Sequence, residues 1–134
     1  MIKNNQLIFE NHIELSSKLA QKILLIAKKS ISLKGEFTIV LTGGKSVLNL
    51  YKILVKSDSN WDKWHIYISD ERCLPVDDRD RNDQIINNIW LNHSPIPKYN
   101  IHFIRAELGM VESQVDYTNT MKHVGKFDVT LLSV

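Results

Sequence analysis

The chain has 134 residues, of which 43% are hydrophobic and 24% charged, with a formal charge of +2; this suits one compact domain and excludes a disordered tail or a fibrous repeat. Residues 1–34 carry six Lys against two Glu, and the remainder eleven basic against thirteen acidic residues, so no dense basic tract exists and nucleic-acid binding is not expected. The one cysteine, Cys73, supports neither an internal disulfide nor a metal cluster and fits a reducing compartment; without a signal-peptide pattern or an apolar run of about 20 residues, a cytoplasmic chain with no membrane contact is expected.

Along the segment 11–30, apolar Leu15, Leu19, Ile23 and Ile26 recur three or four apart, which predicts a helix with that stripe buried. A linker with Gly35 leads to "FTIVL", residues 37–41, whose apolar and β-branched run suits a strand covered on both faces. "TGGKS" follows, and Val47, Leu50, Tyr51 and Leu54 restore the helical period to about Ser57. A second unit repeats the layout: "HIYIS" at 65–69 as a strand, "DERCLPVDDRD" at 70–80 as a loop, and "RNDQIINNIW" at 81–90 as a helix with Ile85, Ile86 and Ile89 inward.

After a proline-containing connection at 93–100, "IHFI" at 101–104 reads as a short strand. A helix from about Gly109 to Met121 is supported by Val111, Val115 and Tyr117 or Thr118, and "KFDVTLLSV" at 126–134 as a fourth strand. Helices alternating with short apolar strands define an α/β protein: an open, mostly parallel sheet with flanking helices, Rossmann-like. A buried strand that ends at Val134 without the loop that should carry ligand contacts leads to the expectation of truncation at the C-terminus, with an exposed sheet edge that invites association.

Three segments are candidates for function. In "TGGKS", Gly43 and Gly44 let backbone amides close on an anion beside a helix start, with hydroxyls from Thr42 and Ser46 and charge from Lys45. The same residues also fit a plain tight turn with Ser46 as helix cap, and local sequence leaves both open. The spacing is neither a Walker loop nor a dinucleotide fingerprint. In "SDERCLP", Asp70 stands at a strand end where a carboxylate can hold sugar hydroxyls or assist a base, and Arg72 offers a fork to phosphate; the plain alternative is an acidic loop in which Glu71 pairs with Arg72 or Arg81. In "DDRDRND", Asp80 and Asn82 are first-turn groups of the next helix, and Arg79 or Arg81 can reach the same cleft. No metal-ligand spacing joins these acids. His12, His65, His93, His102 and His123 are scattered, with His65 and His102 read as structural; Trp61, Trp64 and Trp90 are read as packing residues.

Taken together, "LTGGKSVLNLYKIL", "WDKWHIYISDERCLPVDDRDRND" and "GKFDVTLLSV" closely resemble, in order and spacing, the 6-phosphogluconolactonase family, relatives of the glucosamine-6-phosphate isomerases. The resemblance implies an open α/β fold and hydrolysis of 6-phospho-D-glucono-1,5-lactone to 6-phosphogluconate, a step of the oxidative pentose phosphate pathway that uses no cofactor and no metal. It implies that Thr42, Gly43 and Gly44 belong to the loop that meets a phosphorylated sugar lactone, with Lys45 where such enzymes often carry Ser or Arg and Ser46 where they often carry Thr. Asp70 and Arg72 match the family's acidic and arginine cleft residues, and Asn82 its recurrent Asn.

The resemblance also marks a departure. Family members continue from the fourth strand into a Gly-x-Gly-x-Asp-Gly-His segment whose histidine is the general base, and here Ser133 stands where Gly is usual. No histidine of this chain matches the catalytic one. Residues 1–134 are therefore expected to form an incomplete domain of a lactonase parent and to be inactive or nearly so. Two other readings stay open: an isomerase or deaminase of glucosamine 6-phosphate with Asp70 as proton-transfer base, although "DERCLP" is nearer the lactonase form, and a non-catalytic sugar-phosphate binder. The sequence leaves the oligomeric state undetermined.

Overall fold

The computed structural model describes residues 6–133; Val134, the last residue of the expected fourth strand, lies outside them. Four helices and four strands alternate as α1 (His12–Lys34), β1 (Phe37–Leu41), α2 (Leu48–Val55), β2 (Trp64–Ile68), α3 (Asn82–Ile89), β3 (Ile101–His102), α4 (Met110–Met121) and β4 (Val129–Thr130). The strands form one parallel sheet in the order β3-β2-β1-β4, which confirms the expected α/β architecture. The chain runs outward from β1 through β2 to β3 and then returns to the other edge of β1. That reversal is a topological switch point, and the carboxyl ends of the strands beside it form the crevice in which open α/β sheets bind ligands.

β1 is buried along its whole length, as its apolar and β-branched content requires. Its register with β2 sets Leu41 beside Ile68, so the segments after both strands leave the sheet side by side. On one face, Phe37 meets Trp64 edge-on with ring centroids 4.6 Å apart, and Tyr51, Trp61 and Trp90 complete an aromatic cluster. All three tryptophans are buried, in keeping with packing roles. The opposite face carries Tyr67 against Phe127 and the parallel-stacked rings of His65 and His102.

The helices correct two expected stripes. The buried residues of α1 are Ser16, Ala20, Ile23 and Ala27, one position round from the predicted Leu15–Leu19–Ile23–Ile26 stripe. Small side chains let α1 lie close to its neighbours, while Leu19 and Ile26 flank the contact and Leu15 is exposed. In α4 the buried residues are Ser113 and Tyr117, whereas Val111 and Val115 are 75% and 58% exposed. The helix is held by the Tyr117 hydroxyl, which accepts from Ile68 N–H at 2.9 Å and approaches the Ile68 and His102 carbonyls at 3.1 and 3.0 Å. Polar anchoring takes the place of an apolar stripe there. Strand β3 stops after two residues rather than four, and in α3 it is Ile86 that is buried, with Ile85 and Ile89 half-buried.

β4 contributes only two ladder residues, and a side chain supplements them. Asp128 accepts from Thr38 N–H at 2.8 Å and from its hydroxyl at 3.1 Å, and pairs with Lys34 at 2.6 Å. Burial alone would raise the Asp128 pKa, but the Lys34 ammonium and the Thr38 N–H outweigh it and hold the carboxyl below its ordinary 3.8. A carboxyl depressed in the folded state adds stability that is complete above its unfolded pKa and is lost as pH falls through the folded one. Asp128→Asn is therefore expected to lose about 1–3 kcal/mol at pH 7 and to flatten the stability decline below about pH 4, as read by urea denaturation across that range.

Candidate active site

The loop 42–46 leaves the carboxyl end of the central strand β1, and Tyr51, one turn into α2, fixes its first residue. The Tyr51 hydroxyl donates to the Thr42 carbonyl at 2.6 Å and accepts from the Thr42 N–H at 3.1 Å. Burial drives the Tyr51 pKa well above its ordinary value, the Thr42 backbone contact opposing it, so the hydroxyl stays protonated. Beyond Thr42, Gly44 takes a φ of 101°, a backbone region that a Cβ disfavours. Lys45 and Ser46 lie in a short 3-10 turn before α2, and Gly44, Lys45 and Ser46 are exposed. Ser46 does not cap α2; its hydroxyl lies 3.3 Å from that of Ser133, which extends from β4.

The segment 69–72 leaves β2 beside this loop. Asp70 and Arg72 are exposed, and among the described residues the Arg72 guanidinium makes no hydrogen bond. Asn82, the first residue of α3, is buried and joins the two segments. Its side-chain nitrogen donates to the Asp70 carbonyl at 3.1 Å and carboxylate at 3.3 Å, and its carboxamide occupies the space where a side chain on Gly43 would sit. Gly43 is thus required for close approach. The structure brings Thr42, Gly43, Gly44, Asp70 and Asn82 together, with Lys45, Ser46 and Arg72 on the open rim and Ser133 across from Ser46.

Other expectations are redistributed. Glu71 does not pair with Arg72 or Arg81 through a salt bridge; its carboxylate accepts the backbone N–H groups of Arg72, Asn82 and Asp83 at 2.8, 2.6 and 2.8 Å. Arg81 does not reach the cleft. It is 2% exposed and is spent on Asp83, Glu107 and the Leu74 and Ile104 carbonyls. Burial works against its charge, but Asp83 and Glu107 prevail and raise its pKa. Asp80 is not a cap of α3; its own N–H donates to Asp78 at 2.9 Å. No sequence signal marked Glu71: Arg81 at the cap position of α3 makes no side-chain cap bond, and the carboxylate that takes its place is brought in by the fold.

The histidines lie elsewhere. His65, His102 and His123 line a cleft of about 640 Å³ with Lys34, Glu36 and Lys126, and none of the five histidines hydrogen-bonds to residues 42–46, 69–72 or 82 among the described residues. Burial and the neighbouring His65 lower the His102 pKa, which favours a neutral ring in the stack. No group of three or more metal-ligating side chains occurs among the described residues.

The fold and loops define an open parallel α/β protein with a glycine loop and an acid-arginine loop side by side at the carboxyl end of its sheet. The family model for glucosamine-6-phosphate isomerases/6-phosphogluconolactonase matches residues 10–134, and the chain belongs to this family. A rice (Oryza sativa subsp. indica) protein named "Probable 6-phosphogluconolactonase 4, chloroplastic" is 32% identical over 130 residues, 95% of this chain and 40% of that protein. The 6-phosphogluconolactonase of Thermotoga maritima is 27% identical over 115 residues, 85% of this chain and 52% of that protein. The crystal structure of the Thermotoga maritima enzyme superposes with a TM-score of 0.82 at 25% identity, covering 91% of this chain and 56% of that one. The chain thus spans about half the length of these relatives.

Two substitutions probe the scaffold of the loop. Tyr51→Phe strands the buried N–H and carbonyl of Thr42, and a loss of about 1–3 kcal/mol is expected by chemical denaturation. Gly43→Ala drives Asn82 from its place; a comparable loss of about 1–3 kcal/mol is expected together with displaced Asn82 side-chain amide resonances in NMR spectra, whereas unmoved resonances would show that the loop yields instead.

Proposed function

We propose that this chain supplies the sugar-phosphate grip of a 6-phosphogluconolactonase. The reaction is attack of water on the lactone carbonyl of 6-phospho-D-glucono-1,5-lactone, with cleavage of the ring ester bond to give 6-phosphogluconate. The observation that carries this reading is the Asn82 carboxamide seated against Gly43 while it holds Asp70. It supports a single recognition surface made of the glycine loop and the acid-arginine loop, on which one phosphorylated sugar can lie.

On this reading the exposed Arg72 guanidinium and the Lys45 ammonium attract the phosphate. The hydroxyls of Thr42 and Ser46 and the amides of the glycine turn add neutral donors. Asp70 accepts from a sugar hydroxyl, and Asn82 keeps that carboxylate in register. Fixing the lactone in this way contributes by orientation, since correct placement of reacting groups removes much of the entropic barrier. The water still needs a base. Among the described residues Asp70 is an exposed carboxylate at the site, held by the Asn82 amide, and the general base that the family resemblance implies is the histidine of a segment these 134 residues do not include. Loss of a general base lowers rate by roughly 10²–10⁴-fold. Cys73, exposed and unpaired, suits the reducing environment of the cytoplasm, the compartment we propose.

The deciding experiment is hydrolysis of freshly generated lactone, corrected for spontaneous opening, by residues 1–134 and by a form extended through the second half of the family domain. Turnover by the extended form alone is the expected result. Turnover by the short form would make Asp70 the base. Failure of both, with retained binding of 6-phosphogluconate, would leave a phosphosugar binder; conversion of glucosamine 6-phosphate by the extended form would move the chain to the isomerase branch.

A further inference from the structure

Glu71 is the member of the acid-arginine segment to which the proposed chemistry gives no task. It follows Asp70 directly in the chain, yet its carboxylate faces backbone. One oxygen accepts from the N–H of Arg72 at 2.8 Å and of Asn82 at 2.6 Å, and the other from the N–H of Asp83 at 2.8 Å. The first amides of a helix have no partner within the helix, and a carboxylate placed there gains from both hydrogen bonds and the positive end of the helix dipole. Arg81 occupies the cap position of α3 without a side-chain cap bond, so Glu71 performs the capping from eleven and twelve residues away in sequence.

The contacts close into a ring. Asp70 is covalently joined to Glu71, Glu71 holds the backbone of Asn82, and the Asn82 side chain returns to the Asp70 carbonyl and carboxylate at 3.1 and 3.3 Å. Opening any link frees Asp70 to rotate and lets the Asn82 carboxamide drift from Gly43. The same arrangement fixes the Arg72 N–H to Glu71 while its guanidinium stays unpaired among the described residues. Glu71 therefore sets two of the groups assigned to the phosphosugar, Asp70 and Arg72, together with the Asn82 amide that holds Asp70, and its own oxygens are occupied by backbone.

We propose that Glu71 is a positioning residue of the phosphosugar site, acting through Asn82 and Asp70 and touching no substrate. The proposal rests on the reading that Asp70 faces the sugar and that Asn82 holds it there. A cap that serves stability alone would alter the amount of folded protein and leave the kinetics of the folded fraction unchanged. A positioning residue changes turnover itself, because displacements of about 1 Å at reacting groups cost up to about 10²-fold in rate.

The test is a double-mutant cycle in the lactone-hydrolysing, extended protein. Glu71→Gln retains size but presents an amide NH₂ where a backbone donor needs an acceptor. It is expected to lower kcat about 10–10²-fold with a smaller change in KM. In an Asn82→Ala background the same substitution is expected to cost less than about a further 2-fold, because the route through Asn82 is already broken. Losses that multiply independently, or an unchanged kcat in Glu71→Gln, would overturn the proposal. Amide hydrogen exchange on the unsubstituted chain gives a second reading that needs neither a variant nor turnover. Protection of the Asn82 and Asp83 N–H groups is expected, and exchange at the rate of unpaired helix-start amides would overturn the brace. An unsubstituted protein that fails to hydrolyse the lactone would sink the functional reading, while the exchange result would still judge Glu71.

Discussion

The seat of the Asn82 carboxamide on Gly43 is the constraint around which the site is organised. Two neighbouring parallel strands deliver their loops to the same end of the sheet, but adjacency by itself leaves those loops free to move apart. Absence of a Cβ at Gly43 opens a slot, and the first residue of α3 fills it with a group that can hold Asp70 at the same time. A larger residue at position 43 or a shorter one at position 82 would leave two separate loops. Glycine here is a matter of space, whereas Gly44 is a matter of backbone angle, with φ at 101°.

Around that contact the molecule relies on polar groups placed in low-exposure positions. Tyr51 ties Thr42, Tyr117 ties the ends of β2 and β3, and Arg81 gathers the loop after β2, the start of α3 and the segment before α4. Each replaces a stretch of secondary structure that the short strands cannot provide. Buried polar groups are costly when unpaired and confine geometry strongly when fully paired. A scaffold that has to hold exposed ligand groups such as Asp70 and Arg72 without burying them gains rigidity by this route, since the groups themselves stay solvated and available.

The sequence made the architecture legible because its strands are apolar runs and its glycines and prolines fall between periodic segments. It also indicated residues 42–46, Asp70, Arg72 and Asn82 as a set, through their position after strands and through family resemblance. It misplaced the buried stripe of α1, because Ser16, Ala20 and Ala27 are selected by close packing rather than by hydrophobicity. In α4 it favoured Val111 and Val115 over Ser113, although the anchor of that helix is the hydroxyl of Tyr117. The sequence paired Glu71 with Arg72 or Arg81 and sent Arg81 toward the cleft, because the partners they take, backbone groups for Glu71 and carboxylates for Arg81, are brought near only by the fold. A charge run carries no mark of which member will be buried.

The Asp128 clamp on Thr38 has a kinetic side. Its partners are 90 residues apart, and β4 brings only two ladder residues to the bond with β1. A contact across so long a loop carries a larger closure entropy than the contacts within each local unit of helix and strand. Until it forms, the most buried strand of the sheet has one edge unpaired, and Ser133 is not yet beside Ser46. The part of the crevice that Ser133 supplies accordingly depends on this long-range closure, and while that closure is open β1 offers an edge for pairing with another chain.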